Sequence, residues 1–538
     1  MALILYLSYN RSKLRNNHQR GENVFKQGVL PFRYECESTE SGMTALAGLP
    51  AYLELSIVSG LTDSIQRHLG KCAKKEQGWT DTQIVMSLVL LNIAGGDSVD
   101  DLRILEKDEG LVKVVRQLGF SGHPRKERRE QERRWRKERK RAFPSPSVVF
   151  RYLTSFVNPA EETKRARGRA FIPAAHERLQ ALRRVNPDIL RFAQRKSPQT
   201  EATLEMDASI VQTTKQDTLF SYQGSPSFQP LSVRWAELDL VAHSEFRDGN
   251  VPAGYQNLRV FQETLEVLPK GIQKVYFKSD TAAYQKELLI YCAEGRNERF
   301  RVIEFAVGVD VTAEFKKAVA AVEEKEWHPL EREIEGRKLA TGQEWAEVCF
   351  VPTWAARSKK GPGYRFLAIR ELLGQKEFPG MEAQLPFPTL NWGEQQYKLF
   401  GVVTNRDLAG DKLIWWSRER CGKGEEMHAI MKNDLAGGHL PSAHFGANAT
   451  WWAIMILAFN LNSLMKHLAL LEGWESKRLK AVPFGFINLA GRVVNRSRQL
   501  IIRLSGSHPA YPILLEVRQR LMTLWMATES PVLALGPP

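Results

Sequence analysis

The sequence predicts a multidomain α/β protein. Its 538 residues are three to four times the length of an average domain, so more than one hydrophobic core can form. Apolar residues make up 43% and charged residues 25%, which is ordinary for globular proteins and excludes a collagen-like or wholly disordered chain. The hydrophobic pattern is helical up to about residue 200, alternates through much of 203–408, and is helical again afterwards.

The N-terminal part is predicted to be helical after an irregular extension at 1–42. In the segment 43–156, Thr80 and Gln83 have the spacing of a capping box, and the apolar run 84–93 follows them. A glycine turn then leads to two further short helices. This arrangement is compatible with a helix-turn-helix DNA-binding domain, and an ordinary helical bundle is the alternative. Residues 157–200 are interpreted as a helical connector.

Positive charge is concentrated in one short segment. The chain carries 76 basic and 61 acidic residues, a net charge of +15, and the segment 125–141 alone contributes +7. Such a segment suits a nucleic-acid backbone, because each neutralised phosphate releases bound counterions. A highly charged, solvated spacer helix is the alternative. The residues expected to contact DNA here are Arg133, Arg134, Arg136 and Lys137.

Cysteine usage and hydropathy indicate a cytoplasmic protein. The five cysteines lack CxxC spacing, which argues against a disulfide framework and against a zinc site. The most apolar run, 451–461, is shorter than the roughly 20 residues that a bilayer requires, so we interpret it as a buried helix and expect no membrane partner.

The region 201–320 is predicted to alternate strands and helices. The predicted elements are a strand at 203–211, one or two strands in 231–246, a helix at 258–268, a strand at 274–279, a helix at 284–293 and a strand at 301–307. This order is what a ribonuclease-H-like sheet requires, with parallel strands joined by covering helices.

A β-strand insertion is predicted at 321–408, because short strands separated by Pro, Gly and Lys occupy much of it. Its Trp354 and Trp392 are candidates for stacking on a flipped base, with a role in the core as the alternative. The final part of the core is expected at 409–470, with helical character returning from about residue 422, and a C-terminal helical region at 471–538.

Two aspartates occupy positions where a lone charge is costly. Asp207 lies within a predicted strand among apolar residues, and Asp280 lies where a buried strand meets a helix. A buried carboxylate is strongly destabilising unless it is paired, hydrogen bonded or bound to a cation. The first and fourth strands of a ribonuclease-H-like sheet are neighbours, so these residues predict a metal site. Glu425 or Glu426, expected at the start of a late helix, is the candidate third acid.

Three carboxylates of this kind suit two-metal phosphoryl transfer. Hard oxygen ligands hold Mg²⁺, and two such ions stabilise the attacking and the leaving oxygen. With 61 acidic residues in the chain, however, a trio on plausible elements is easily found by chance.

Separate motifs along the chain identify a family. They include LVLLNIAGGDSVDDLRILEKDEGL, TLEMDASIV, YQGSPSFQPL, VYFKSDTAAY and RCGKGEEMHAIMKNDLAGGHL. On these motifs the sequence resembles the DDE transposases of bacterial insertion sequences over residues 28–470, most closely the insertion sequence thirteen-eighty family of the insertion sequence four superfamily. The resemblance implies that Asp207, Asp280 and Glu425 are the catalytic and metal-binding acids, with two Mg²⁺ as cofactor and Mn²⁺ as a substitute.

The surroundings of the third acid match the family only in part. In related transposases a Tyr, Arg, Glu, Lys pattern surrounds this acid, and its basic members contact DNA phosphates. Lys432 fits the Lys position, but Cys421 stands at the Arg position and no Tyr stands where one is expected. Arg420 and Trp416 are the proposed substitutes. This departure leaves Glu426 open as an alternative to Glu425.

The resemblance implies an enzyme that binds the terminal inverted repeats of an insertion sequence, cleaves the DNA strands and transfers them into target DNA. The implied partners are the double-stranded DNA of the element ends and of the target. Because two ends must be held at once, we expect a homodimer on DNA, at the nucleoid of a bacterial cytoplasm. A catalytically inactive, transposase-derived repressor or scaffold is one alternative. A structure-selective nuclease on the same fold is another.

Overall fold

The computed structural model describes residues 42–70, 78–118, 141–352, 364–373, 387–392, 395–470, 472–475, 477–496 and 499–527. The predicted DNA contacts Arg133, Arg134, Arg136 and Lys137 lie outside these residues, as does nearly all of the N-terminal extension. Within the described ranges, no helix combines the length and the apolar character needed to cross a bilayer.

Nine α-helices precede residue 200 in the described part of the chain. They are α1 (Pro50–Val58), α2 (Leu61–Leu69), α3 (Asp81–Ile93), α4 (Leu102–Lys107), α5 (Glu109–Leu118), α6 (Pro146–Thr154), α7 (Pro159–Glu162), α8 (Glu177–Arg183) and α9 (Val185–Lys196). The predicted capping box at α3 is confirmed. The Gln83 N–H donates to Thr80 Oγ1 at 3.2 Å, and the Thr80 N–H donates to Gln83 Oε1 at 3.1 Å.

The later helices are α10 (Asn257–Val267), α11 (Lys286–Ala293), α12 (Ala313–Ala320), α13 (Gly410–Ala429), α14 (Phe445–Leu464) and α15 (Ala510–Met526). The strands are β1 (Met43–Thr44), β2 (Glu201–Ala208), β3 (Val211–Gln212), β4 (Ser227–Phe228), β5 (Leu231–Trp235), β6 (Leu240–Glu245), β7 (Lys274–Ser279), β8 (Glu304–Gly308), β9 (His328–Ile334), β10 (Arg337–Val348), β11 (Arg365–Leu372), β12 (Thr389–Trp392), β13 (Gln395–Thr404), β14 (Gly491–Arg496) and β15 (Gln499–Arg503). Ten of these strands form one mixed sheet.

One half of this sheet has the strand order β6-β5-β2-β7-β8. Strand β2 runs antiparallel to β5 and parallel to β7, which is in turn parallel to β8. The register pairs Met206 with Ser279, so the residues that follow them, Asp207 and Asp280, come together at the carboxyl ends of adjacent strands. Since side chains alternate along a strand, Glu205 and Asp207 share one face of the sheet.

The predicted β insertion extends this same sheet. Strand β13 pairs antiparallel with β8, and β11, β10 and β9 follow it in order. The short strands predicted in the insertion begin only at about Trp345, so β9 and most of β10 were not predicted. Most of the residues there are exposed and many are charged, so the alternating apolar pattern of a half-buried strand is missing.

A helical layer covers the sheet and includes the N-terminal helices. Helix α14 is buried along nearly all of its length and contacts α3, α6 and β6. The Tyr52 hydroxyl on α1 donates to Asn462 Oδ1 of α14 at 2.8 Å, and Asn460 Oδ1 accepts from the backbone N–H of Val241 on β6 at 2.8 Å. One hydrophobic core therefore runs from the N-terminal helices to the sheet.

Helix α3 lies inside this core. Eleven of its thirteen residues are buried, so it leaves little surface for contact with a DNA groove. The run 84–93 is apolar on every side, which is typical of a buried helix.

The C-terminal region is mixed, and the prediction of a helical region at 471–538 is wrong for 491–496 and 499–503. These residues form the hairpin β14–β15, and β14 pairs with β1 through Met43 and Arg492. The β-branched residues Val493, Val494, Ile501 and Ile502 favour strands. Helix α15 follows the hairpin and packs on α1.

Candidate active site

Asp207 and Asp280 form the centre of the site. Asp207 Oδ1 accepts a hydrogen bond from the Ala208 N–H at 2.9 Å, and Asp280 Oδ1 accepts one from the Ala282 N–H at 3.1 Å. These bonds fix the direction of each carboxylate at the end of its strand. The β2–β7 register places the two carboxylates next to each other.

The two carboxylates have opposite pKa shifts. Burial, and then the negative charge of Asp207, raise the pKa of Asp280 above its ordinary value. Burial also acts to raise the pKa of Asp207, but the neighbouring His428 and Arg420 outweigh it and lower that pKa. An ionised Asp280 is therefore costly, and a cation bound between the two carboxylates would remove the cost.

Helix α13 supplies two basic side chains near Asp207. Arg420 Nη1 and His428 Nε2 each lie 3.5 Å from Asp207 Oδ2. The Arg420 side chain is only 16% exposed, so the residue expected to contact DNA phosphate is held beside an acid of the site.

Helix α13 begins well before the residue at which the sequence predicted it. It starts at Gly410, so Glu425 and Glu426 lie near its end and not at its start. Gly422 and Gly424 are inside the helix, although each glycine costs about 1 kcal/mol relative to alanine there. Packing supports the helix: its first residue, Gly410, lies so close to the Trp345 ring that an added Cβ would be 2.1 Å from it.

Glu425 and Glu426 face different surroundings. Glu425 lines an open cleft of about 740 Å³, together with Ala208, His428 and Lys432. Glu426 instead lies 3.2 Å from the Lys423 ammonium and acts electrostatically on Lys466. Glu425 is thus the glutamate that shares a cleft with the end of β2, and Lys432 lies in the same cleft.

Two of the three predicted acids are brought together. In the part of the chain that the structure describes, no three His, Cys, Asp or Glu side chains lie close enough to hold a metal ion. Asp207 and Asp280 are paired, and Glu425 does not complete a three-ligand group with them. The pair fits a hard divalent cation, because its donors are all oxygen and one of the carboxylates has a raised pKa.

Sequence reasoning missed His428. The residue is buried, and neither ring nitrogen has a hydrogen-bond partner among the described residues. His428 follows Glu425 by three residues and precedes Lys432 by four. Residues with these spacings share one face of a helix, so this pattern could have identified it.

Lys278 was also missed, and it connects α13 to the strand that carries Asp280. Its buried ammonium lies 2.9 Å from Glu419 Oε2 and 4.6 Å from the centre of the Trp416 ring. The guanidinium of Arg406 lies 4.2 Å from the same ring. These contacts hold the middle of α13 against the sheet.

One comparison with known proteins identifies a family. A family model described as "Transposase DDE domain group 1" matches residues 35–526. Among solved structures, the chain is similar to a piggyBac transposase in a synaptic complex with hairpin DNA, at 10% identity and a TM-score of 0.36, over 92% of this chain and 86% of that chain. No curated protein matches the sequence. Because the family model spans most of its length, the chain belongs to the transposases of DDE domain group 1.

Proposed function

We propose that this protein cuts DNA at the ends of an insertion sequence and joins them to target DNA, with Asp207, Asp280 and Glu425 as its catalytic acids. The observation that carries the proposal is the pairing of Asp207 and Asp280 at the ends of neighbouring parallel strands in a chain of a DDE transposase family. The sequence motifs support assignment to the insertion sequence thirteen-eighty family.

The sheet topology supports a ribonuclease-H-like core for this chemistry. Three antiparallel strands, β6, β5 and β2, are followed by β7 and β8 in parallel with β2, and helices connect the parallel strands. Active sites of open α/β sheets lie at the carboxyl ends of strands, where Asp207 and Asp280 are found.

Asp207 and Asp280 would hold the divalent cation, and Glu425 would complete the ligand set from the cleft. Mg²⁺, or Mn²⁺ in its place, supplies Lewis-acid stabilisation of the charge that develops on the phosphate oxygens. Catalytic contacts are often loose in a free enzyme and tighten when the substrate binds. DNA in the cleft would accordingly bring Glu425 towards the aspartate pair.

The remaining side chains of the site have distinct roles in this proposal. Arg420 and His428 keep Asp207 ionised, since they lower its pKa against the effect of burial. Lys432 lies in the cleft beside Glu425, where its ammonium would hold a DNA phosphate. Lys278 positions α13 relative to the strand that ends at Asp280.

The proposed partners are the element ends and target DNA. The net charge of +15 and the basic segment 125–141 support binding to a polyanion. Because the reaction joins two ends of one element, we propose a homodimer on DNA.

The decisive experiment incubates the purified full chain with Mg²⁺ and DNA that carries the repeats flanking its own coding sequence. We expect nicks at the repeat ends for the wild type, and no cleavage for Asp207→Asn, Asp280→Asn and Glu425→Gln, all with unchanged binding of the repeats. A wild-type protein that binds these repeats but cuts with neither Mg²⁺ nor Mn²⁺ would instead support a transposase-derived repressor.

A further inference from the structure

A short hairpin presents an aromatic ring at the candidate active site. Strands β3 and β4 pair through Val211 and Phe228, and the chain between them turns at 221–225. The Ser221 N–H donates to the Ser225 carbonyl at 2.9 Å, and the Gly224 N–H donates to the Ser221 carbonyl at 3.0 Å. Gly224 has a φ of +74°, which glycine adopts without strain. The backbone that carries Tyr222 is therefore well fixed.

The Tyr222 ring itself is uncovered. The residue is 80% exposed, and among the described residues no ring, cation or hydrogen-bond partner contacts its side chain. Phe220 on the same hairpin differs, because the Arg167 guanidinium lies 5.3 Å from the centre of its ring. Phe220 is 45% exposed and already has a cation at its ring, whereas the more exposed Tyr222 ring is available to a ligand.

The hairpin forms one wall of the cleft that contains Glu425. Tyr222 and Gln223 line this cleft together with Glu425, His428 and Lys432. Residues 208–212, which directly follow Asp207 in the chain, line the same cleft. A DNA end whose scissile phosphate lies at the two aspartates would have its neighbouring nucleotides within the same cleft as Tyr222.

The tryptophans that the sequence suggested for base stacking are less suitable. Trp392 packs edge-on against Trp327 at 6.1 Å between ring centres, and the Arg370 guanidinium lies 5.2 Å from its ring. Trp354 lies outside the described residues. Tyr222 has a free ring and lies in the cleft itself.

We infer that Tyr222 is a base-stacking residue, whose ring stacks on a nucleobase of a DNA end that is bound in this cleft. The inference rests on the proposed function, since it requires a DNA end in the cleft. Every base offers an aromatic face, so stacking tolerates any sequence at this position. Because the turn is already fixed by its hydrogen bonds, binding a base costs little additional backbone order.

The test measures binding of the full-length protein to DNA ends from its own flanking repeats, with an abasic nucleotide placed in turn at each position near the cleavage site. Tyr222→Ala should bind the intact end about 5- to 150-fold more weakly, the range that corresponds to stacking on one base. Tyr222→Phe should bind as the wild type does, because it keeps the ring. Phe220→Leu is the control on the same hairpin and should also leave binding unchanged.

One abasic position should identify the stacked base. There the wild type should lose affinity to the level of Tyr222→Ala, while Tyr222→Ala itself should lose nothing further. The inference is overturned if Tyr222→Ala binds intact ends as tightly as the wild type, or if it shows the same losses as the wild type at every abasic position. A wild type that does not prefer repeat ends to random duplex would overturn the proposed function, and the stacking inference with it.

Discussion

At the scale of single residues, the ionised form of Asp280 costs the folded protein stability. The pKa of Asp280 is raised from its ordinary value of 3.8, so the folded state penalises its ionised form. The penalty is absent well below pH 3.8, grows as the pH rises through the raised pKa, and is complete above it. Asp280→Asn removes this charge and nearly preserves the shape of the side chain.

We therefore expect Asp280→Asn to raise the melting temperature of the metal-free protein at pH 7 while abolishing cleavage. The stabilisation should shrink as the pH is lowered towards 3.8. Scanning calorimetry in EDTA over this range checks the prediction. A variant that melts below the wild type at pH 7 would contradict it.

The two neighbouring glutamates of α13 allow a matched comparison. Glu425 lines the cleft, whereas Glu426 lies beside Lys423 and acts on Lys466. Glu425→Gln should reduce strand cleavage by 10³-fold or more, roughly the loss found when one member of a catalytic set is removed. Glu426→Gln should cut at a rate near that of the wild type. Single-turnover cleavage assays of the two variants test this difference. If Glu426→Gln lost cleavage and Glu425→Gln kept it, Glu426 would be the third acid.

His428 supports the Asp207 carboxylate from inside the site. His428→Ala should lower metal affinity or cleavage about 10- to 100-fold, which is the usual effect of removing a partner of a metal ligand. His439→Ala is the control, because His439 lies in the same cleft but is 59% exposed and close to Asp97. Calorimetric titration with Mn²⁺ separates an effect on metal affinity from one on chemistry. Equal behaviour of the two variants would exclude this role for His428.

The sequence could identify groups whose chemistry conflicts with their surroundings. Asp207 and Asp280 stood out because a charge within or directly after an apolar strand requires an explanation. His428 and Tyr222 did not stand out, because nothing in their neighbourhood conflicts with an ordinary helix or turn. Both residues line the cleft because α13 packs against the end of β2, although His428 and Asp207 are more than 200 residues apart in the chain.

At the scale of elements, helix α13 shows how packing overrides local propensity. Its glycines suggested a start near residue 422, whereas contacts of Gly410 with Trp345 and of Lys278 with Glu419 support a helix twelve residues longer. The hairpin β14–β15 was missed for a related reason. It is short, and its pairing partner, β1, is far away in the sequence.

Two glycines of α13 give opposite predictions. Gly410→Ala would place a Cβ 2.1 Å from the Trp345 ring and should destabilise the protein by about 1–3 kcal/mol. Gly422→Ala meets no atom within 4 Å and should stabilise it by about 0.5–1 kcal/mol, because alanine favours a helix. Chemical denaturation of both variants measures the difference. Equal stabilities would show that the start of α13 does not depend on this contact.

At the scale of the whole molecule, positive charge should govern DNA affinity. Replacement of Arg133, Arg134, Arg136 and Lys137 by Ala should weaken binding to all duplexes. It should also make the logarithm of the DNA-binding constant less dependent on the logarithm of the salt concentration. With about 0.9 for each phosphate contact, the loss of four contacts would reduce the magnitude of this slope by up to about 3.6. Replacement of the exposed, ion-paired Lys325 and Lys338 should change the slope little. Binding measured across a salt series checks both, and an unchanged slope would make the segment 125–141 a spacer.

The division into domains was the least predictable aspect of the molecule. The change between helical and alternating hydrophobic patterns along the chain predicted separate domains. The strand order of the first half of the sheet agrees with the predicted succession of strands and helices. The continuous core does not follow from local patterns, because it depends on pairs such as Tyr52 and Asn462, which are 410 residues apart.

The pairing of the first helices with the last ones also has a consequence for synthesis. Helix α1 packs on α15, and β1 pairs with β14. In a nascent chain, these first elements can therefore make their contacts only after the last ones have been synthesised. At about 5–20 residues per second, the delay is on the order of tens of seconds. A chain still attached to the ribosome can expose both aspartates while its first helices lack their partners. Copies that end before α15 should therefore leave α1 without this contact.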